Sequence, residues 1–169
     1  MLYDYQKEML RQIEEAFRKH QSVMVQMPTG TGKTVLLAEE VKSEERRVKN
    51  ADGVKSEERR VKNPCVWIVV HRRELVEQIE KKLAKQLDSS LFVLHSSLTP
   101  LHSSLTPLSS SLPPRVFSIQ WLSKHYHELE EKPSLIIIDE AHHAVAKTYK
   151  EVMDAYPEAR KLGLTATPC

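Results

Sequence analysis

Met27-Pro28-Thr29-Gly30-Thr31-Gly32-Lys33-Thr34 is the stretch on which the fold turns. It has the character of a phosphate-binding loop. Residues 22–26 before it (SVMVQ) read as a short buried strand, and 35–40 after it (VLLAEE) as the opening of a helix. Strand, glycine loop, Lys-Thr and helix together make the arrangement that cradles a triphosphate. Gly30 and Gly32 allow backbone N–H groups to turn inward onto phosphate oxygens. Lys33 has the reach for the β- and γ-phosphates, and the Thr34 hydroxyl suits Mg²⁺. One position departs from the general pattern, which carries glycine six residues before the lysine; this chain has Met27 there. The bland alternative is a Gly/Thr-rich turn between a strand and a helix.

The surrounding chain bounds the setting. Its 169 residues suffice for one domain, 1–169, with a core of its own. The net charge of +2 comes from mixed signs, so no strong basic footprint announces nucleic acid. No apolar run is long enough to span a membrane, and no secretory signal precedes the polar start, Tyr3, Asp4, Gln6, Lys7, Glu8. Cys65 falls in an expected buried strand and Cys169 is the last residue. Two such cysteines make no disulfide framework and fit a reducing compartment, so a cytoplasmic location without membrane contact is expected.

Hydrophobic periodicity organises the rest. Asp4 is the expected N-cap of a helix running to about His20, with Met9, Leu10, Ile13, Ala16 and Phe17 along one face. Strands are expected at 23–27, 66–70, 91–94, 115–118, 135–138 and 161–164. Helices are expected at 33–48, 73–87, 119–130 and 141–155. Val/Ile runs such as Trp67-Ile68-Val69-Val70 suit strands buried on both faces. Strand–helix alternation of this kind argues an α/β fold with a mostly parallel sheet and helices on both faces. Two segments break the pattern. VKSEERRVKN stands at 41–50 and again at 54–63, and LHSSLTP at 94–100 and 101–107, with a looser copy at 108–114. Both 41–63 and 94–114 are expected to be duplicated surface segments, solvated and outside the working core.

The second half of a nucleotide site follows at Leu135-Ile136-Ile137-Ile138-Asp139-Glu140-Ala141-His142. A hydrophobic strand ends in two acids at the sheet's carboxyl edge, where open α/β sheets bind ligands. One carboxylate, Asp139, can serve Mg²⁺. The other, Glu140, can orient and deprotonate the water that attacks the γ-phosphate. The bland alternative is a capping pair for the helix expected near Ala141. A zinc site from Asp139, Glu140, His142 and His143 is disfavoured, since adjacent histidines on a helix point about 100° apart.

These residues carry a resemblance. MPTGTGKT, DEAH at 139–142 and Leu164-Thr165-Ala166-Thr167-Pro168 occur in order at domain-scale spacing. Together they resemble the first RecA-like domain of superfamily 2 DEAD/DEAH-box helicases, a P-loop NTPase fold. That family tolerates a non-glycine residue at the position of Met27. Val70-His71-Arg72-Arg73-Glu74-Leu75 resembles motif Ia, Val116-Phe117-Ser118-Ile119-Gln120 a later nucleic-acid motif, and Tyr5-Gln6 the upstream glutamine motif. GLTATP and HRREL depart from the RNA-remodelling DEAH group. DEAHHAVAKTY followed by GLTATP looks closer to the helicases grouped with type III restriction subunits and DNA-repair translocases.

The resemblance implies roles. Gln6 would read adenine. Pro28, Thr29, Gly30, Thr31, Gly32, Lys33 and Thr34 would bind ATP, with Mg²⁺ on Thr34 and Asp139. Lys33, Asp139, Glu140 and His142 would run hydrolysis. His142 would link the nucleotide site to Thr165 and Thr167, which couple it to movement. Arg72, Arg73, Ser118 and Gln120 would face a nucleic-acid backbone, with DNA favoured over RNA. Arg72 and Arg73 have solvated helix-start charges as their alternative, and Gln6 an ordinary exposed helix position. A second RecA-like domain is expected beyond Cys169, and the fragment alone is expected to hydrolyse ATP poorly. A nucleotide-gated binding module without unwinding is the alternative function. A small-molecule kinase is disfavoured, because no arginine-rich lid segment is evident.

Overall fold

The computed structural model describes residues 2–28, 30–51, 65–87, 114–143 and 147–166. The expected strand at 91–94, the second VKSEERRVKN copy and residues 94–113 of the Ser/Pro segment lie outside them. The described elements in chain order are α1 (Asp4–Phe17), β1 (Ser22–Gln26), α2 (Lys33–Ala51), β2 (Cys65–Val70), α3 (Glu74–Gln86), β3 (Arg115–Ser118), α4 (Ile119–His125), β4 (Pro133–Asp139), α5 (Lys147–Ala155) and β5 (Arg160–Thr165). The five strands form one parallel sheet in the order β1-β5-β4-β2-β3.

Strand periodicity divides the core in two. Successive side chains of a strand point to opposite faces. Val66, Ile68 and Val70 of β2, with Leu135 and Ile137 of β4 and Leu162 and Leu164 of β5, therefore pack with Ile13, Leu36, Val41, Ile79 and Leu83 of α1, α2 and α3. The alternate residues Cys65, Trp67, Val69, Ile136 and Ile138 pack with Leu122, Tyr149 and Val152 of α4 and α5. β2 is buried along its whole length and β4 from Pro133 to Ile138, as runs buried on both faces should be.

Three expectations are corrected. First, β1 is not fully buried. It lies at the sheet's edge among the described strands, and Ser22, Met24 and Gln26 are exposed while Val23 and Val25 are half-buried. Neither α4 nor α5 covers that part of the sheet, so Met24 is 54 % exposed. A trough of about 900 Å³ opens there between β1, β5 and α5, on the sheet's face and away from the glycine loop. Second, α1 is capped by Tyr3, not Asp4, and it ends at Phe17 instead of His20. The Tyr3 N–H donates to Gln6 Oε1 at 3.1 Å, and the Arg18 N–H turns back to Glu15 O at 3.2 Å to close the helix. Third, the first VKSEERRVKN copy is solvated on one side only. It continues α2, with Arg46 and Arg47 exposed while Val41 and Glu44 have no exposed surface. The charge of Glu44 is tolerated there because the Arg47 and Arg160 guanidinium groups pair with it.

The expected helix at 119–130 is shorter than its pattern. α4 ends at His125 and passes into one 3₁₀ turn, Tyr126–Glu128. The expected helix at 141–155 is split into a 3₁₀ turn, Ala141–His143, and α5.

Candidate active site

Parallel pairing brings distant motifs to one carboxyl edge. Gln26 at the end of β1 pairs with Thr165 at the end of β5, and Asp139 at the end of β4 pairs with Leu164. The loop that leaves β1 is tied down at once, because the Met27 N–H donates to Thr165 O at 2.7 Å. Met27 itself is 1 % exposed and packs in the core beneath α1 and α2. The residue that departed from the glycine pattern thus fills apolar space, which glycine could not do. Burying such a side chain stabilises by roughly 1.5–3 kcal/mol.

The loop then reverses through glycine. Gly30 and Gly32 both adopt left-handed backbone, with φ of +82° and +83°. The Thr31 hydroxyl donates to Pro28 O at 2.6 Å. The Val35 and Leu36 N–H groups both donate to Gly32 O, at 2.9 and 3.1 Å, and start α2. Pro28 is exposed, while Lys33 and Thr34 are half-buried in the first turn of α2. Thr29 lies outside the described residues.

Lys33 reaches across this edge. Its Nζ sits 3.1 Å from Glu140 Oε1, joining residues 107 positions apart in sequence. Glu140 Oε2 is 3.3 Å from His142 Nδ1, which is in turn 3.2 Å from Thr165 Oγ1. Lys33, Glu140, His142 and Thr165 therefore form a continuous polar chain from the glycine loop to the end of β5. Thr165 is 1 % exposed, so it has a fixed place at the inner end of that chain. Thr167, its expected companion, lies outside the described residues, as does the side chain of His143.

The two acids differ in environment. Glu140 carries a left-handed φ of +55°, a costly conformation for a residue with a Cβ. Asp139 Oδ1 accepts the Glu140 N–H at 3.1 Å, which bends the chain at that point. Burial pushes the Asp139 carboxyl above its ordinary value, with Lys33 opposing and the Glu140 charge adding. Two carboxylates crowded beside one ammonium make a hard-oxygen donor set with excess negative charge, which suits a divalent cation such as Mg²⁺. Among the described residues no three His, Cys, Asp or Glu side chains gather as a dedicated metal site.

The remaining candidates fall into two groups. Gln6 is not an exposed helix residue. It is 2 % exposed, and its Nε2 donates to Thr31 O at 3.3 Å while its Oε1 caps α1. Arg72 and Arg73 stand exposed just past β2, next to β3 in the sheet. Gln120 Nε2 donates to His71 O at 2.7 Å and so ties the two strand ends together. Ser118 is 5 % exposed, and its hydroxyl accepts the Trp121 N–H at 3.4 Å as the N-cap of α4. Arg72, Arg73 and Gln120 thus share one end of the edge, with the glycine loop at the other. Ser118 supports them from below instead of presenting its hydroxyl. Sequence reasoning missed the burial of Gln6 and Ser118. Only the capping signal before Trp121 could have shown the latter.

Comparison with known proteins agrees with this geometry. The family model described as "Type III restriction enzyme, res subunit" matches residues 1–169. A curated relative, the "51.5 kDa protein" of Lactococcus phage (isolate 7-9), is 29 % identical over 145 residues, spanning 86 % of this chain and 24 % of the relative. Among solved structures, the Pyrococcus furiosus Hef helicase domain superposes with a TM-score of 0.66 at 21 % identity, over 98 % of this chain and 32 % of that one. A nuclease-deletion mutant of the Type ISP restriction-modification enzyme LlaGI, in complex with a DNA substrate mimic, gives 0.65 at 18 % identity, over 99 % and 18 %. The UvsW helicase of bacteriophage T4 gives 0.63 at 15 % identity, over 98 % and 52 %. The chain thus spans between about a fifth and a half of these proteins' lengths. It belongs to the type III restriction enzyme res subunit family and has the RecA-like fold of superfamily 2 helicases.

Proposed function

We propose that residues 1–169 bind and hydrolyse ATP as one RecA-like domain of a nucleic-acid helicase or translocase, with DNA as the favoured substrate. The observation that carries this reading is the convergence of Lys33, Asp139, Glu140, His142 and Thr165 at one carboxyl edge beside a loop with two left-handed glycines. Lys33 leaves Glu140 for the β- and γ-phosphates, because a triphosphate offers more negative charge than one carboxylate. Glu140, so released, orients the attacking water and takes its proton. Thr34 and Asp139 would hold Mg²⁺, which when bound neutralises phosphate charge. His142 and Thr165 carry the change at Glu140 to the end of β5. Arg72 and Arg73 hold phosphates of the strand, so sequence preference is slight.

A second RecA-like domain supplies an arginine finger in this reading, contributing on the order of 10³–10⁵ in rate. Residues 1–169 alone then turn over ATP poorly. DNA is favoured because two similar folds, the LlaGI mutant and a Sulfolobus solfataricus SWI2/SNF2 ATPase core, were solved in complex with a DNA substrate mimic and with dsDNA. A reducing, cytoplasmic setting belongs to the same reading, on the ground that two cysteines make no disulfide framework. The test is ATP turnover by the longer protein carrying this chain, with DNA, with RNA and with neither. Stimulation by DNA is expected. Stimulation by RNA alone would overturn the substrate assignment, and stimulation by neither would overturn the motor.

A further inference from the structure

We propose that Tyr5 and Gln6 form a clamp on the glycine loop, and that Tyr5 positions the loop for any triphosphate, whatever base it carries. The inference rests on the triphosphate reading of the site. Two donors from the first turn of α1 converge on a single carbonyl. Tyr5 Oη donates to Thr31 O at 2.7 Å and Gln6 Nε2 donates to it at 3.3 Å. A carbonyl oxygen has two lone pairs, so both bonds can be held together.

Thr31 sits between the two left-handed glycines. In a trans peptide the C=O and the following N–H point in opposite directions. Holding the Thr31 carbonyl against α1 therefore aims the Gly32 N–H away from α1. That N–H belongs to the set that would meet phosphate oxygens. A loop already held this way gives up less conformational freedom on binding.

Gln6 is committed to the same task. Its Oε1 accepts the Tyr3 N–H, its Nε2 meets Thr31 O, and it is 2 % exposed. A Cβ at residue 32 would lie 2.5 Å from Gln6 Nε2, so the glycine and the amide are packed face to face. Gln6 thus holds the loop with one N–H and one lone pair of its amide, and the second of each stays open to a base.

The experiment compares ATP with inorganic tripolyphosphate, which has no base, by calorimetry on residues 1–169, wild type and Tyr5→Phe. Phenylalanine keeps the ring and removes only the donor. Both affinities are expected to fall by the same factor, roughly three- to tenfold for one lost hydrogen bond, with the thermal midpoint little changed. A loss for ATP with none for tripolyphosphate would assign Tyr5 to the base and overturn the clamp. Unchanged affinity for both ligands would overturn it too. A wild-type chain that binds neither ligand would remove the triphosphate reading itself, and the clamp with it.

Discussion

Glu40→Gln isolates what ionisation of one buried carboxyl does to the fold. Glu40 lies on α2, 3 % exposed, and its Oε1 has no hydrogen-bond partner. Burial pushes its carboxyl from an ordinary 4.5 up to about 7; Arg160 opposes the rise, and Glu14 and Glu44 add to it. Between these two values the folded chain holds a proton that the unfolded chain has released. Stability therefore falls as pH rises from about 4.5 to 7 and levels off above. The size of the raise corresponds to about 3 kcal/mol. Glutamine resembles the protonated acid and cannot ionise. The variant should match wild type near pH 4.5 and exceed it by about 3 kcal/mol at pH 8, or roughly 6–12 °C in midpoint for a domain of this size. Glu44 works in another window. Burial raises its carboxyl, but Arg47 and Arg160 outweigh burial and hold it below the ordinary value. Its contribution is present above about 4.5 and is lost only below that. Urea unfolding followed by circular dichroism at pH 5, 6, 7 and 8 measures the difference. A constant gap between variant and wild type across that range would refute the reasoning.

Two further substitutions test the edge of the sheet. Gly32→Ala places a Cβ at φ +83° and 2.5 Å from Gln6 Nε2, so a loop that must shift to relieve it should bind ATP roughly five- to 150-fold more weakly by calorimetry, since strain of this kind costs of order 1–3 kcal/mol. Arg72→Ala and Arg73→Ala should weaken single-stranded DNA binding. Each should reduce the slope of log affinity against log salt by about 0.7, as read by fluorescence anisotropy, if each arginine holds one phosphate.

The sequence was most legible where burial is symmetric. The runs in β2 and β4 are apolar on both faces because helices cover both faces, and their limits lie within two residues of the pattern. β1 misled because five apolar-rich residues look alike in a central strand and at an edge; only the pairing order shows that one face of Met24 is left open. α2 misled in the opposite direction. Glu44 reads as solvated until Arg160, 116 residues away, is brought against it. The site motifs were readable as residue types, since phosphate, metal and water each demand particular donors. Their contacts were not. The Lys33–Glu140 pair and the Gln6 bond to Thr31 depend on parallel strand register and on where α1 packs. Ser118 was assigned outward because its short side chain fits a cap as well as it fits a phosphate contact.

The most direct measurement of the account is Mg²⁺-ATP binding and turnover by Glu140→Gln in the longer protein that carries this chain. Glutamine removes the base and weakens the hold of residue 140 on Lys33, leaving the glycine loop untouched. The account predicts that ATP still binds, at least as tightly as to wild type, while hydrolysis is lost. Hydrolysis that persists at the wild-type rate would contradict it.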